Sequence, residues 1–347
     1  MKNSLPAVVR FAHCSFVWRP RAALIGAGLM LLALLLAVLL LGIGTLHLSP
    51  GEVLASLFGL GDNPTAERII QRVRLPRVLT AVFVGAALGM AGSVFQSISR
   101  NALGSPDIIG FTTGAASGAI VQIILFNAGP LGTSLAAVLS GVCTAAVVFV
   151  LSLKGRTTGG YRLVLVGIGV GAMLTGLNTV LLVTGDLDQA MTAQLWLSGS
   201  LNTRTWSHVV PAAMGFVLIV PIAIYHARPL NILEMGDDTA CQLGVPVERS
   251  RLVMVMAAVG LTSIATAAAG PISFIALAAP QLARRLTGSP DIPLVSGAIM
   301  GALLLLSADL VSQRFPLNLN LPIGLTTGLL GGFYLLWLLT RSRKPIG

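Results

Sequence analysis

Runs of about 18 or more mostly apolar residues recur from Ala22 to Leu339, separated by shorter polar segments. Such a run crosses the roughly 30 Å hydrocarbon core of a bilayer as an α-helix. In lipid, a helix satisfies all of its backbone hydrogen bonds within one segment. The pattern therefore predicts an all-α, polytopic membrane protein. About ten spans are expected, at residues 22–44, 78–98, 108–127, 131–153, 163–183, 206–225, 251–269, 272–288, 293–312 and 322–340.

The same pattern predicts one transmembrane domain at 22–340, between a tail at 1–21 and a tail at 341–347. The first apolar run is too long for the h-region of a signal peptide, and no small-residue cleavage site follows it. We therefore interpret it as a signal anchor that remains in the protein.

Two connecting segments are too long to be simple turns. Residues 45–76 contain a short amphipathic stretch, Pro50–Leu60. Residues 225–250 have the pattern of one or two short helices, where Gly244 would end a helix and Pro246 would prevent it from resuming. A folded loop of this kind suggests a docking surface for a cytoplasmic protein, although a plain connector is the alternative.

Charge is scarce and unevenly placed. The chain is 55% hydrophobic and 10% charged, with a net charge of +10. With a cytoplasmic N-terminus, 16 of the 22 Lys and Arg residues fall inside, which is the bias that the positive-inside rule predicts. Both termini are then cytoplasmic, and the excess charge does not indicate nucleic-acid binding. The six outside residues are Arg68, Arg72, Arg74, Arg77, Arg204 and Arg314.

The tetrapeptide Arg74-Leu75-Pro76-Arg77 lies at the outer mouth of a predicted span. Two guanidiniums held near a proline form a good receptor for carboxylates, so an acidic protein or ligand is expected to dock there. The alternative is that both side chains only reach the lipid headgroups.

No catalytic or metal-binding set is found in the sequence. The four histidines are scattered, the three cysteines lack metal or redox spacing, and HExxH, GxSxG and Walker sequences are absent. Ion-coupled carriers usually need ionisable groups within their spans. The best candidate here is Asp309, which could instead pair with Arg314 or cap a helix. We expect a pore body without a bound cofactor or its own energy source.

Several motifs distributed along the chain together resemble the permease subunits of iron-siderophore and vitamin B12 ABC importers, which have the type II importer fold. The resemblance extends from about Ala22 to Leu339. The segments around Gly236–Ala240 and Asn101–Gly110 are most similar to ferric-enterobactin permeases, which suggests a catecholate siderophore. The motifs are Arg74–Arg77, Gly85–Gly92, Asn101–Pro106, Trp196 with Gly199–Leu201, Leu243–Val245, Gly270–Phe274, Ala308–Leu310 and Leu321–Gly324.

The resemblance implies partners and roles. Arg74, Arg77 and Arg314 would receive glutamates from the two lobes of a periplasmic siderophore-binding protein. A coupling helix would sit on cytoplasmic ATPase subunits, which would bind ATP and Mg. A second permease subunit is implied, with a paralogous chain favoured over self-pairing. The coupling residues would be Glu234, Gly236, Asp237, Asp238, Ala240, Leu243 and Gly244.

The resemblance also implies an inner gate made by Asn101, Leu103, Gly160 and Tyr161. Two departures from the family pattern affect this gate. Ala102 replaces the usual proline of Asn-Pro-Leu, and Gly160 and Tyr161 replace small hydroxyl residues.

The sequence thus predicts a multi-pass importer permease of the bacterial inner membrane that is not itself an enzyme. Vitamin B12 or haem is the alternative cargo within the family. An ion-coupled secondary transporter is the rival of another class, against which the folded loop and the scarcity of acids within the spans argue. An integral-membrane enzyme would need a polar catalytic cluster that the sequence lacks.

Overall fold

The structure is a computed structural model that describes residues 7–11, 14–44, 46, 48–60, 63–107, 110–154, 157–158, 160–314 and 321–341. Its α-helices are α1 (Pro20–Gly42), α2 (Pro50–Leu57), α3 (Pro64–Ile69), α4 (Leu75–Ser99), α5 (Phe111–Phe126), α6 (Pro130–Ser152), α7 (Gly160–Thr184), α8 (Leu187–Leu197), α9 (Trp206–Tyr225), α10 (Ala227–Glu234), α11 (Asp237–Gln242), α12 (Val247–Ala269), α13 (Ile275–Thr287), α14 (Leu294–Gln313) and α15 (Ile323–Arg341). A π-helical segment, Ile70–Arg74, joins α3 to α4.

Two small antiparallel hairpins accompany the helices. Strands β1 (Ala7–Phe11) and β2 (Cys14–Trp18) pair within the predicted N-terminal tail. Strands β3 (Leu153–Lys154) and β4 (Thr157–Thr158) pair in the turn between α6 and α7. Most of the predicted tail 341–347 lies outside the described residues.

The helices confirm the prediction of an all-α, multi-pass membrane protein. Within the described residues, seven helical segments are long and apolar enough to cross a membrane, and two shorter apolar helices cover Phe111–Phe126 and Ile323–Trp337. The seven are Pro20–Gly42, Pro64–Ser99, Pro130–Ser152, Tyr161–Thr184, Trp206–Tyr225, Val247–Ala269 and Leu294–Gln313.

The span predicted at 272–288 is shorter in the structure than expected. Helix α13 has 13 residues, which is about 20 Å of helix against the roughly 30 Å of a hydrocarbon core. The preceding residues are not helical, because Gly270 and Phe274 both have positive φ angles, 76° and 69°. Most of α13 is buried within the protein, so it does not face lipid along its whole length.

Both long connecting segments are folded, as the sequence predicts. The stretch Pro50–Leu60 contains α2, which ends at Leu57 and starts with a capping box between Ser49 and Glu52. The segment 225–250 contains two short helices, α10 and α11.

Helix α4 is the centre of the bundle and packs against α9, α12, α13 and α14. In an apolar 18-residue stretch of the helical segment Pro64–Ser99, 83% of the residues are buried, against 11% in such a stretch of Tyr161–Thr184 at the periphery. Glycines allow α4 and α14 to approach closely, since a Cβ atom on Gly85 would overlap the backbone of Gly301, and one on Gly89 that of Gly297. The Ser93 hydroxyl also donates to the Pro293 carbonyl at 3.0 Å, so this pair of helices is held tightly together.

Candidate functional site

A charged cluster lies at each end of α4. Arg77 lies in the first turn of the helix and Arg100 is its C-terminal capping residue. At a rise of about 1.5 Å per residue, the two are about 35 Å apart along the axis. The central helix therefore connects one polar cluster at each end of the bundle.

The first cluster, the Arg77 cluster, joins Arg77 to Asp309, Asn202 and Gln313. The Nη2 of Arg77 lies 2.6 Å from Oδ1 of Asp309, and its Nε lies 3.2 Å from both carboxylate oxygens. The Nη1 donates to Asn202 at 2.8 Å, and Gln313 donates to Asp309 at 2.8 Å. The Asp309 side chain is fully buried and that of Arg77 is 24% exposed. Arg77 thus neutralises a buried carboxylate and ties α4 to α14.

Arg74 has a different environment. It is 8% exposed, and its guanidinium donates to the carbonyl of Leu41 at 2.7 Å and to that of Leu46 at 2.6 Å. A Cβ atom on Gly44 would overlap this guanidinium, so the glycine leaves room for it. The π-helical segment ends at Arg74, and such segments are frequent at functional sites. Arg74 closes the C-terminal end of α1 against the start of α4.

Three of the other arginines at the Arg77 end are exposed. Arg314, the third predicted docking residue, caps the C-terminus of α14 and has an exposed side chain. Arg68 and Arg72 are also exposed. Arg204 is half-buried and donates to the Ser200 carbonyl at 2.9 Å, and burial lowers its pKa from the ordinary arginine value.

A cavity of about 220 Å³ opens beside Arg74, Arg77 and Gln313. Nearby, the indole of Trp206 donates to the carbonyl of Gln71 at 3.0 Å and ties the start of α9 to the π-helical segment. This end of the bundle therefore combines a recess with exposed positive charge at its rim.

The sequence singled out Asp309 but not its partner. Its carboxylate pairs with Arg77, 232 residues away in the chain, and not with Arg314. Asn202 and Gln313 were not predicted as members of the site. The available signal was that Asp309 is an acid within an apolar span, where a charge needs a partner.

The second cluster, the Asp237 cluster, joins Asp237 to Arg100, Arg251 and Glu248. The Nη2 of Arg251 donates to the two carboxylate oxygens of Asp237 at 2.9 and 2.8 Å, and its Nη1 donates to Glu248 at 3.0 Å. Arg100 forms an ion pair with Asp237 and donates to the Leu233 carbonyl at 3.2 Å. Burial alone would raise the pKa of Asp237, but the bonds and charges of the two arginines outweigh it and hold this pKa below its ordinary value.

A further ion pair holds the neighbouring part of the loop. The Nη2 of Arg284 on α13 lies 2.5 Å from Oε1 of Glu234 at the end of α10. A cavity of about 350 Å³ lies between these elements, and Arg100, Glu234 and Arg284 line it. Two acids that the sequence assigned to the coupling loop thus bind arginines of the transmembrane body.

The remaining predicted coupling residues differ in their exposure. Ala240 is the buried residue of α11, and Gly236 caps that helix with a positive φ of 123°. Asp238, Leu243 and Gly244 are exposed. Met235 is exposed as well, so apolar side chains lie on the outer surface of the loop beside the carboxylate of Asp238.

The four predicted gate residues lie in two neighbouring segments. The side chain of Asn101 accepts a hydrogen bond from the backbone of Leu103 at 2.9 Å, which shapes the turn after α4. Tyr161 is exposed at the start of α7, and the surroundings of Gly160 lie outside the described residues. A small cavity lined by Gly104, Ser105, Leu163 and Val164 lies between the two segments. The gate itself stays a prediction.

No group of three or more His, Cys, Asp or Glu side chains that could hold a metal ion occurs in the part of the chain that the structure describes. The polar clusters at both ends of α4 are instead pairs of arginines with acids or amides.

Comparisons with known proteins agree with this architecture. The chain is 48% identical to the ferric enterobactin transport system permease protein FepG of Escherichia coli K12, over 87% of this chain and 91% of that protein. It is 35% identical to YfhA of Bacillus subtilis, described as a probable siderophore transport system permease protein, over 91% and 94% of the two chains.

A solved structure of a metal-chelate type ABC transporter in an inward-facing conformation superposes with a TM-score of 0.82 at 30% identity, covering 92% of this chain and 99% of that one. The model of the FecCD transport family matches residues 20–341. The chain therefore belongs to the FecCD transport family.

Proposed function

We propose that this chain is the transmembrane permease subunit of an ATP-binding-cassette importer that moves a ferric siderophore across the bacterial inner membrane. The observation that carries the proposal is the 48% identity to FepG along 87% of the chain. We take the cargo to be a catecholate chelate of the enterobactin type. The chain serves as a transport subunit, and ATP with Mg binds to separate ATPase subunits.

The loop formed by α10 and α11 is the proposed binding site for the ATPase. Its outer surface exposes Met235 and Leu243 beside Gly244, and apolar side chains of this kind bury well against a partner. The acids Glu234 and Asp237 bind the transmembrane body instead. Movement of the ATPase would therefore reach the bundle through a loop that is attached by ion pairs.

The Arg77 end is the proposed docking surface for a periplasmic binding protein. Arg314 is exposed there, and the exposed Arg68 and Arg72 add positive charge. Arg77 keeps part of its guanidinium accessible beside the cavity, whereas Arg74 is nearly buried. We therefore propose that Arg314 makes direct contacts with carboxylates, while Arg74 and Arg77 chiefly shape the surface on which the binding protein rests.

A second permease subunit is proposed to cover α7. Large apolar side chains on this helix, among them Ile168, Met173 and Val180, are exposed. A Cβ atom on Gly169 or Gly176 would meet open space, so a second helix could approach closely there. The similarity to FepG favours a paralogous partner, and lipid would cover the remaining apolar faces.

The mechanism follows from this arrangement. The binding protein delivers the chelate to the recess at the Arg77 end, and ATP-driven movement of the ATPases shifts the loop at the other end. The two gate segments, around Asn101–Leu103 and Gly160–Tyr161, then open and close the inner exit. The spans offer few charged donors, so the path holds the cargo weakly and releases it, as a conduction path requires.

Uptake of radiolabelled ferric chelates in a strain lacking its own permease tests the proposal. We expect the chain, expressed with its ATPase, binding protein and second permease, to restore uptake of ferric enterobactin and not of vitamin B12 or haem. Uptake that persists without the ATPase but requires a proton gradient would refute the proposal in favour of a secondary transporter. Restored uptake of vitamin B12 or haem alone would refute the assigned cargo.

A further inference from the structure

Two acids of the loop between α9 and α12, Glu234 and Asp237, pair with arginines of the transmembrane helices, whereas Asp238 is exposed. Asp237 is the first residue of α11, and its carboxylate receives guanidiniums from two different helices. Arg251 comes from α12 and is only 4% exposed, while Arg100 comes from the end of α4. One carboxylate thus joins the loop, α12 and the central helix.

The backbone at Arg100 suits this arrangement. Arg100 has a left-handed conformation, with φ 48° and ψ 35°, which is uncommon for residues other than glycine. Strained residues of this kind persist where the surroundings hold them, often at functional positions. Here the strained residue caps α4 and directs its guanidinium to Asp237 and to the Leu233 carbonyl.

Close packing alone does not fix α10 and α11 against the transmembrane helices. Leu230 and Leu233 are buried, but a cavity of about 350 Å³ lies between α10, the end of α4 and α13. The pair Arg284–Glu234 and the pair Arg100–Asp237 connect the loop to helices on the two sides of this cavity. Side chains around a cavity lose packing contacts, so the ion pairs have a larger share in fixing the loop.

We infer that Asp237 is a positioning residue for transport, which locks the loop that binds the ATPase to the inner end of α4 through Arg100 and to α12 through Arg251. The lock transmits movement of the loop to the helix whose other end carries the Arg77 cluster. Its role in transport rests on the proposed function, but the lock itself is a property of this chain alone.

Hydrogen exchange of the full-length chain, purified without its partners, tests the lock directly. Asp237→Asn keeps the side-chain shape and removes the charge. We expect amide exchange in α10 and α11 to become about tenfold faster, which corresponds to about 1.4 kcal/mol. The matched control is Asp238→Asn, which changes the adjacent, exposed acid and should leave this exchange as it is in the wild type.

A double-mutant cycle separates the lock from a general loss of stability. Arg100→Gln should also speed exchange, and Arg100→Gln with Asp237→Asn should cost less than the sum of the single changes, because both remove one interaction. Equal exchange in Asp237→Asn and wild type, or strict additivity in the cycle, would overturn the inference. If Asp237→Asn fails to insert into the membrane, the exchange of α10 and α11 in Arg100→Gln is compared with that in the wild type. Faster exchange supports the lock, and equal exchange overturns it.

Transport gives the second readout. In the assembled importer, Asp237→Asn should still co-purify with the ATPase and hydrolyse ATP, while uptake per ATP falls by about tenfold. Unchanged uptake per ATP would refute the positioning role. Another outcome separates the two claims. If Asp237→Asn speeds exchange in the loop but the wild-type importer moves no ferric siderophore, the proposed function is refuted and the lock stands.

Discussion

Removing Arg77 should destabilise the folded permease severely, because it leaves a buried carboxylate without its cation. In Arg77→Leu, Asp309 remains fully buried and keeps the hydrogen bond from Gln313. It loses three contacts with the guanidinium, at 2.6, 3.2 and 3.2 Å. Asn202 loses its donor as well.

The magnitude follows from the burial of this pair. Removing one partner of a buried ion pair typically costs about 3–5 kcal/mol, because the remaining charge stays buried without compensation. Arg77 is 24% exposed, so the pair is not wholly cut off from water, and we expect a loss near the lower end of this range. A loss of about 3–4 kcal/mol is a factor of more than a hundred in the unfolding equilibrium.

Equilibrium unfolding of the purified chain in mixed detergent micelles, titrated with sodium dodecyl sulfate, measures this loss. Arg77→Leu with Asp309→Leu should recover most of it, because replacing a buried pair by apolar residues is often neutral or stabilising. The matched control is Arg72→Leu on the exposed face of the preceding segment, which should change the free energy of unfolding by less than about 0.5 kcal/mol.

Two results would refute this reasoning. One is a loss in Arg77→Leu no larger than that in Arg72→Leu. The other is a double variant no more stable than Arg77→Leu. Either would mean that Asp309 does not depend on Arg77, and the role of Arg77 would return to docking alone.

Four further predictions follow. Arg314→Glu should weaken docking of the binding protein by about tenfold at low salt and by less at high salt, because salt screens charges at the rim of an interface. An affinity equal to that of the wild type at low salt would contradict this prediction. Gly244→Leu should lower uptake while membrane insertion persists, because Gly244 has a φ of 77°, and normal uptake with normal ATPase co-purification would refute it. Differently tagged copies should not form an active importer without the paralogous permease, and transport by this chain with the ATPase alone would refute the heterodimer. Exchange protection of α10 and α11 should persist from pH 7 to about pH 4 and fall only below it, because the lowered pKa of Asp237 contributes stability that is lost as pH falls through that pKa. Loss of protection between pH 6 and 5 would contradict this prediction.

Residue patterns alone were enough to predict the membrane architecture. A run of 20 apolar residues has few alternatives to a membrane helix, because the bilayer and the backbone impose the same requirement on any chain. The folded segments 45–76 and 225–250 were also predictable, since the amphipathic pattern of Pro50–Leu60 and the helix breakers Gly244 and Pro246 act locally.

Local patterns were less reliable for the exact form of elements. The span at 272–288 is apolar enough to suggest a full crossing, but the structure has a 13-residue helix after a non-helical stretch. Positive φ angles at Gly270 and Phe274 end the regular backbone there. Contacts with neighbouring helices stabilise these conformations, and such contacts are not visible in a window of sequence.

The partners of the charged residues were decided only by the tertiary structure. The sequence placed Arg77 at a helix mouth, and the packing of α4 on α14 brought it to Asp309. In the same way, the sequence assigned Asp237 to a loop that docks a partner protein, but in the fold its carboxylate pairs with Arg100 and Arg251. An apolar span is determined by its own residues and the surrounding lipid, whereas an ion pair between distant segments exists only once the helices between them have packed.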